Sequence, residues 1–496
     1  MSLIKTLKST FEFNNINNIN KKLLSKKAFA ITLLLIIIIN IFFFQLEKKI
    51  TFSSIQKRSD ASGFAHNIGK HFFYFQYYKN LFPIFIKKPQ EYSKKGAENL
   101  LKTRGNEAVM EYKHWTRLGE NSRIFAYYPS AFLNGSAKNP SLKGFNTIVF
   151  ILALITLFSG FYFIKKPLHG LILTLLINAT PFFHYEVFAR ENIFALLACT
   201  YFLVLGLNIN VIYKKHAVYK IVIIAVLSGI IIGFFSEMRA EIKIVTGSLL
   251  IIYLFSSTLK FRTKIIISSL LIVSLLGTKK ILQNHFNNKF NEAKTIVENH
   301  DGHVYNGLRI SGHRLWHPIF CGLGDFGSDK GYEWNDMIAY KYATPILKEK
   351  YGLSFDYTGG YHINEYYDSA KLYYKKFDDF DEYEEVVKNK VITDIKENPL
   401  WYAKILIRRI NEILSVNIPF NNVGYFIIPL LLILILLKKN DLFLILFSSL
   451  PLSATSLLIY SGRGNTYNSI YTYIVLLIII LLLIEAVYLS IKKQKT

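Results

Sequence analysis

The sequence predicts an all-α polytopic membrane protein with about ten transmembrane helices and two large extracytoplasmic loops. Three observations predict it. Apolar stretches long enough to cross a bilayer recur along the chain. Hydrophobic residues make up 51% of the chain, and a soluble fold would have nowhere to put this much Ile, Leu and Phe. The connections between the stretches also sort by charge, so that basic clusters fall in every second one.

The first stretch runs from Phe29 to Phe44, after a Lys-rich start that contains Lys21, Lys22, Lys26 and Lys27. No small-residue cleavage site follows it, since the next residues are Gln45, Leu46, Glu47 and Lys48, so it reads as an anchor rather than a signal peptide. Further stretches are read at 146–164, 167–183, 193–213, 218–236, 240–258, 264–280, 423–437, 442–460 and 469–491. The basic clusters are Lys165 with Lys166, Lys214 with Lys215, Lys260 with Arg262 and Lys264, Lys438 with Lys439, and Lys492 with Lys493. Lys and Arg near segment ends are retained in the cytoplasm, which predicts both termini inside the inner membrane and the connections 46–145 and 281–422 outside. The chain then divides into a membrane module at 1–285 that carries the first outer loop (46–145), a loop domain at 286–422, and C-terminal helices at 423–496.

The formal charge of +25 invites a nucleic-acid reading, but its distribution argues against one. Much of the excess lies in inner connections and in the first outer loop, where it suits lipid phosphates or phosphorylated lipid carriers at a bilayer surface. Two cysteines, Cys199 and Cys321, cannot make a disulfide framework and are too few for a cysteine metal site.

The residues that carry chemistry gather in the outer connections. Asp60, after Arg58 and Ser59, reads either as part of a helix N-cap or as a general base near the interface. His184 to Asn192 contains Arg190 and Glu191 just before an apolar stretch, either as an ion pair at a helix end or as functional groups at the membrane edge. Ser236 to Glu241 is a turn hemmed between two segments, and its Arg239 is placed to meet a phosphate oxygen. The second outer loop holds His313, Trp316 and His317 among glycines and aromatics. The two histidines have a metal-like i, i+4 spacing, but Pro318 argues against a continuous helix and no third ligand is evident. Aromatic faces with His and Arg donors suit a sugar or sugar phosphate, while a Gly-rich turn packed by its own aromatics is the plainer alternative. Asn398 and Pro399 open an amphipathic helix, and Arg463 is either a snorkelling residue or a ligand near a segment end.

These positions resemble the GT-C superfamily of polytopic membrane glycosyltransferases. Asp60-Ala61 is similar to its first-loop catalytic acid, and Tyr127-Tyr128-Pro129 to its Pro-containing entry into the second segment. Ala189-Arg190-Glu191-Asn192-Ile193 resembles its second-loop acidic motif, and Gly229 to Tyr253, with Arg239-Ala240-Glu241, its glycine-rich helix. The resemblance covers roughly residues 28–285, and the remainder in layout. It implies an inverting hexosyl- or pentosyltransferase that takes a sugar from a polyprenyl-phosphate donor to a glycan, lipid or protein acceptor. In that reading Asp60 and Glu191 are catalytic, and Arg190, Arg239, Glu241, His313, Trp316, His317 and Arg463 bind substrate. The chain departs from the family in having no second acid beside Asp60, no Asp-x-Asp in the early outer loops and no Pro after Arg239. No cofactor is therefore expected, and a divalent metal would lack a supporting motif here. An O-antigen ligase or polymerase is the near alternative, and a lipid or glycan transporter or flippase the distant one. The last would place ionisable residues at mid-membrane depth and show internal repeats, and the sequence has neither.

Overall fold

The computed structural model describes residues 22–47, 76–77, 80–81, 84–86, 97–110, 142–184, 195–213, 217–304, 315–327, 329–352, 363–368, 371–375, 381–415, 422–459, 470, 474 and 476–483. Among the described residues, six helices are long and apolar enough to cross a membrane, which marks a multi-pass membrane protein. They are α1 (Lys26–Glu47), α3 (Leu142–Phe163), α5 (Ala195–Tyr213), α6 (Val218–Met238), α8 (Phe261–Glu298) and the span Asn440–Leu458, which is built from α14 (Asn440–Ser448), a 3-10 turn and α15 (Ala454–Leu458). The short helix α2 (Ala97–Arg104) precedes α3 in the first long connection.

Six is fewer than the expected ten, for identifiable reasons. Pro167 opens α4 (Pro167–Ala179) after Lys165 turns the chain at positive φ, and α4 stops before Thr180-Pro181, which leaves it 13 residues long. The expected segment at 240–258 begins with a 3-10 turn, so that α7 (Ile244–Phe255) has only 12 residues. A 3-10 turn likewise opens the expected segment at 423–437, and α13 (Ile427–Leu436) follows it. The last expected segment, 469–491, lies only partly within the described residues.

Two glycine-lined crossings hold the membrane body together. A Cβ on Gly206 of α5 would come within 2.6 Å of the Leu157 backbone of α3, and one on Gly160 within 2.3 Å of the Gly206 carbonyl. On α6, a Cβ at Gly229 would lie 2.5 Å from the Leu271 carbonyl of α8, and one at Gly233 2.8 Å from that of Leu275. Lipid tails are as apolar as Leu, so helices in a membrane gain by close backbone approach rather than by apolar burial, and glycine permits it. One interior polar network adds to this: Tyr253 of α7 donates to Asn208 of α5, whose amide donates to Ser228 of α6 at 2.8 Å. The opposite flanks stay apolar and uncovered, as at Leu34, Ile38, Ile223, Ile266 and Val273, where lipid would lie.

Helix α8 sets the scale of the molecule. It has 38 residues, or about 57 Å at about 1.5 Å each, against a hydrocarbon core of about 30 Å. Its second half leaves the span as a stalk whose Phe286, Phe290, Ala293 and Val297 join the main apolar core together with Leu100, Leu101 and Ala108 of the first long connection. There β3 (Ile84–Ile86) pairs antiparallel with β4 (Ala108–Met110), and the His303 amide donates to the Ala108 carbonyl at 2.7 Å.

The second long connection has an apolar core of its own. It is built from α9 (Trp316–Leu323), α10 (Asp336–Tyr351), α11 (Asp381–Glu397) and α12 (Pro399–Leu414), around Phe320, Tyr332, Tyr340, Tyr383 and Val387. Asn335 caps α10 by accepting the Met337 amide, and Gly352 ends it in the left-handed conformation. Pro399 opens α12 at its first turn, as the sequence predicts. The all-α expectation thus describes the membrane body, whereas the connections add short antiparallel pairs: β1 (Gln76–Tyr77) with β2 (Asn80–Leu81), β3 with β4, and β5 (Ile363–Asp368) with β6 (Lys371–Lys375).

Candidate functional site

The glycine contact of α6 with α8 decides where charge meets at one end of the membrane body. Gly229, Gly233 and Glu237 follow one another at intervals of four, so they share the helix face that lies on α8. One turn beyond Gly233, the fully buried Glu237 carboxylate sits 3.3 Å from Lys279 of α8. Lys279 is 18 residues beyond Phe261, or about 27 Å along the helix, so the pair lies about one hydrocarbon thickness from Lys260.

Directly after Glu237 the helix ends. Arg239 takes an extended conformation, and a 3-10 turn over Ala240–Lys243 returns the chain into α7. Arg239 is 5% exposed, and its guanidinium meets Glu241 at 2.5 Å. The exposed Lys243 lies within electrostatic reach of Lys279, Glu237 and Glu241. Three cations and two carboxylates are therefore gathered at one membrane edge, with an excess of positive charge and one lysine open to solvent. Such an arrangement draws an anion, and its buried ion pairs hold the cations in place before the anion arrives.

A second cluster forms inside the connection domain. Helix α9 begins at Trp316, so Pro318 falls in its first turn, where a missing amide hydrogen costs nothing. Pro318 thus opens a helix that starts after His313 rather than interrupting one, and His317 and Cys321 stand one turn apart, both 2% exposed. His317 meets the Tyr383 hydroxyl through Nδ1 at 2.5 Å and Asp336 through Nε2 at 3.2 Å. Tyr340 stacks on its ring, with centroids 5.2 Å apart. Burial pushes the Cys321 thiol up, against the opposing hydrogen bond from His317, so it is no ready nucleophile. With a face covered by Tyr340, the His317 ring is also closed to sugar stacking, and what it offers is nitrogen. Trp316 is half-buried; its amide donates to Glu384 at 2.8 Å, and Lys388 lies over its ring.

Of the residues singled out from sequence, the structure joins Arg239 with Glu241 at the membrane edge and seats Trp316 and His317 in the connection domain. Asp60, Arg190, Glu191, His313 and Arg463 lie outside the described residues. The sequence marks Glu237 only as part of the charged turn and gives Lys243 and Lys279 no part in it, although the four-residue interval from Gly233 to Glu237 places Glu237 on the glycine face. Cys321, four residues after His317, carries no such signal, because two cysteines are too few for a site built on cysteine alone and Asp336 is brought beside them only by the fold.

The fold and these clusters define a multi-pass, predominantly helical membrane protein with a helical domain between its spans. No family model, curated protein or solved structure matches the chain.

Proposed function

We propose that the protein is a membrane glycosyltransferase, which moves a sugar from a polyprenyl-phosphate carrier to a glycan, lipid or protein acceptor on the outer face of the cytoplasmic membrane. The observation that carries this reading is the Glu237–Lys279, Arg239–Glu241 and Lys243 cluster at the end of two lipid-flanked helices. A lipid phosphate held between such helices would present its charge at that depth. When the sugar departs, the phosphate keeps the bonding electrons and gains negative charge, and cations fixed beforehand stabilise that state more than the bound donor. In this reading Arg239, Lys243 and Lys279 hold the phosphate and Arg190 joins them. Asp60 takes the proton of the acceptor hydroxyl, and Glu191 orients the site.

The test uses proteoliposomes with a labelled polyprenyl-phosphate sugar and acceptor membranes. Lys243→Met with Lys279→Met is expected to weaken donor-lipid binding by about tenfold or more, the loss of one or two charge-assisted hydrogen bonds. Asp60→Asn is expected to keep membrane insertion and donor binding and to lose transfer. Transfer that survives both changes ends the proposal, and donor that crosses the bilayer unchanged identifies a flippase instead.

A further inference from the structure

We propose that His317, Cys321 and Asp336 bind a divalent zinc-type cation in the connection domain, with a fourth coordination position on the Asp336 side. An imidazole nitrogen, a thiol sulfur and a carboxylate oxygen come together here, all within 4.8 Å of one another. Their separations carry the argument. His317 Nε2 is 3.2 Å from Asp336 Oδ1, and Cys321 Sγ is 3.8 Å from each of them. A tetrahedral zinc with bonds of about 2.3 Å to sulfur and about 2.0–2.1 Å to nitrogen and oxygen has edges of about 3.3 Å between N and O and about 3.6 Å between S and either. The triangle already present is within a few tenths of an ångström of that figure, so a cation can be seated with side-chain adjustment alone.

The donors are also presented as such a site requires. His317 and Cys321 project from successive turns of α9, while Asp336 stands in the first turn of α10, next to the capping Asn335. Metal-binding histidines usually donate their other ring N–H to an oxygen, which fixes the tautomer and turns the free lone pair to the metal. Tyr383 Oη lies 2.5 Å from His317 Nδ1, where it can accept that hydrogen. Thiolate and imidazole donors favour zinc over magnesium or calcium, which take oxygen ligands. Two ligands are sealed at 2% exposure while the Asp336 side chain is 33% exposed, so the open position faces water. Coordination leaves Cys321 as a thiolate and passes its proton to solvent.

The test is made on the full chain purified in detergent without chelator. One zinc per chain by elemental analysis is expected, with a melting temperature that falls on chelation and returns with Zn(II). Refilling with Co(II) is expected to give a thiolate-to-cobalt charge-transfer band. That band reports Cys321, because the other cysteine, Cys199, is sealed in α5. Cys321→Ser should abolish it, and Tyr383→Phe should weaken zinc binding about ten- to a hundredfold while keeping it. No retained zinc together with no response of the melting temperature to Zn(II) overturns the proposal, and that pair of readings decides the matter even if Cys321→Ser does not fold. A cobalt band that persists in Cys321→Ser also overturns it.

Discussion

The membrane body adds glycine-mediated helix–helix approach to its ring packing, whereas the helices of the connection domain meet through rings. In the body, α6 lies on α8 through Gly229 and Gly233, and α3 on α5 through Gly160 and Gly206, so that backbone meets backbone. In the connection domain the contacts are made by large rings: Phe320 on Tyr332, Tyr332 on Trp401, Tyr340 on His317. The difference follows from solvent. Water rewards the removal of aromatic area, whereas lipid is indifferent to it and rewards shape and satisfied polar groups.

Arg409 of α12 joins the two regions. It is fully buried, donates to the Gly322 carbonyl at 2.6 Å and to those of Leu457 and Ile459 at 3.0 and 3.1 Å, and pairs with Asp325 at 3.4 Å. Gly322 lies at the end of α9, and Leu457 and Ile459 lie at the end of α15, so one guanidinium caps the C-termini of a domain helix and a membrane helix. Burial lowers its pKa from that of a free guanidinium, and the Asp325 charge opposes the shift.

The largest effect is expected at this joint. Arg409→Met removes the cation from a buried Asp325 and from three helix-end carbonyls, and should cost about 3–5 kcal/mol. The loss should appear as a lower melting temperature in detergent and as protease cleavage within the connection domain, and Asp325→Asn on the same background should recover part of it. An Arg409→Met protein as stable as the parent would dissolve the idea of a joint.

The next change separates the regions. Gly233→Leu must push α6 from α8, at about 1–3 kcal/mol, and should leave the protease resistance of the connection domain untouched. Gly277, on the same α8, has open space where its Cβ would be, so Gly277→Ala should instead add about 0.5–1 kcal/mol through helix propensity. Equal melting shifts for the two substitutions would show that close approach is not what holds these helices.

The remaining effect belongs to the domain alone. Burial pushes the Asp394 carboxyl up, but hydrogen bonds from Tyr332 at 2.7 Å and Lys390 at 2.9 Å, together with the Lys390 charge, outweigh it and hold its pKa below the ordinary carboxylate value. A depressed folded pKa means that this stabilisation is complete above the unfolded value of about 3.9 and is lost as pH falls through the folded one. Domain stability should therefore rise with pH across that acid window. Asp394→Asn should remove the slope and cost about 1–2 kcal/mol at neutral pH. A slope that survives in Asp394→Asn would assign it to other carboxylates.

Much of the membrane body was legible beforehand. Apolar runs and the lysines between them are local signals, and α1, α3, α5 and α6 lie close to where hydropathy places them. The count fell short where Pro167, Pro181 and 3-10 turns shorten helices, since a hydropathy window does not register the backbone that interrupts it. At the membrane edge, Arg239 and Glu241 were readable as a charged turn. Lys279 was not readable as their neighbour, because its place depends on the α6–α8 crossing.

Composition and the alternation of apolar and basic segments determined that this chain enters a bilayer many times, because transfer of side chains into lipid is nearly additive along the sequence. Tertiary structure alone decided that His317, Cys321 and Asp336 share one point, that Glu237 meets Lys279, and that Arg409 caps two helices at once. Coulomb forces, hydrogen bonds and coordination act over a few ångströms through space, and residues 42 or 50 positions apart come within that range only when helices pack.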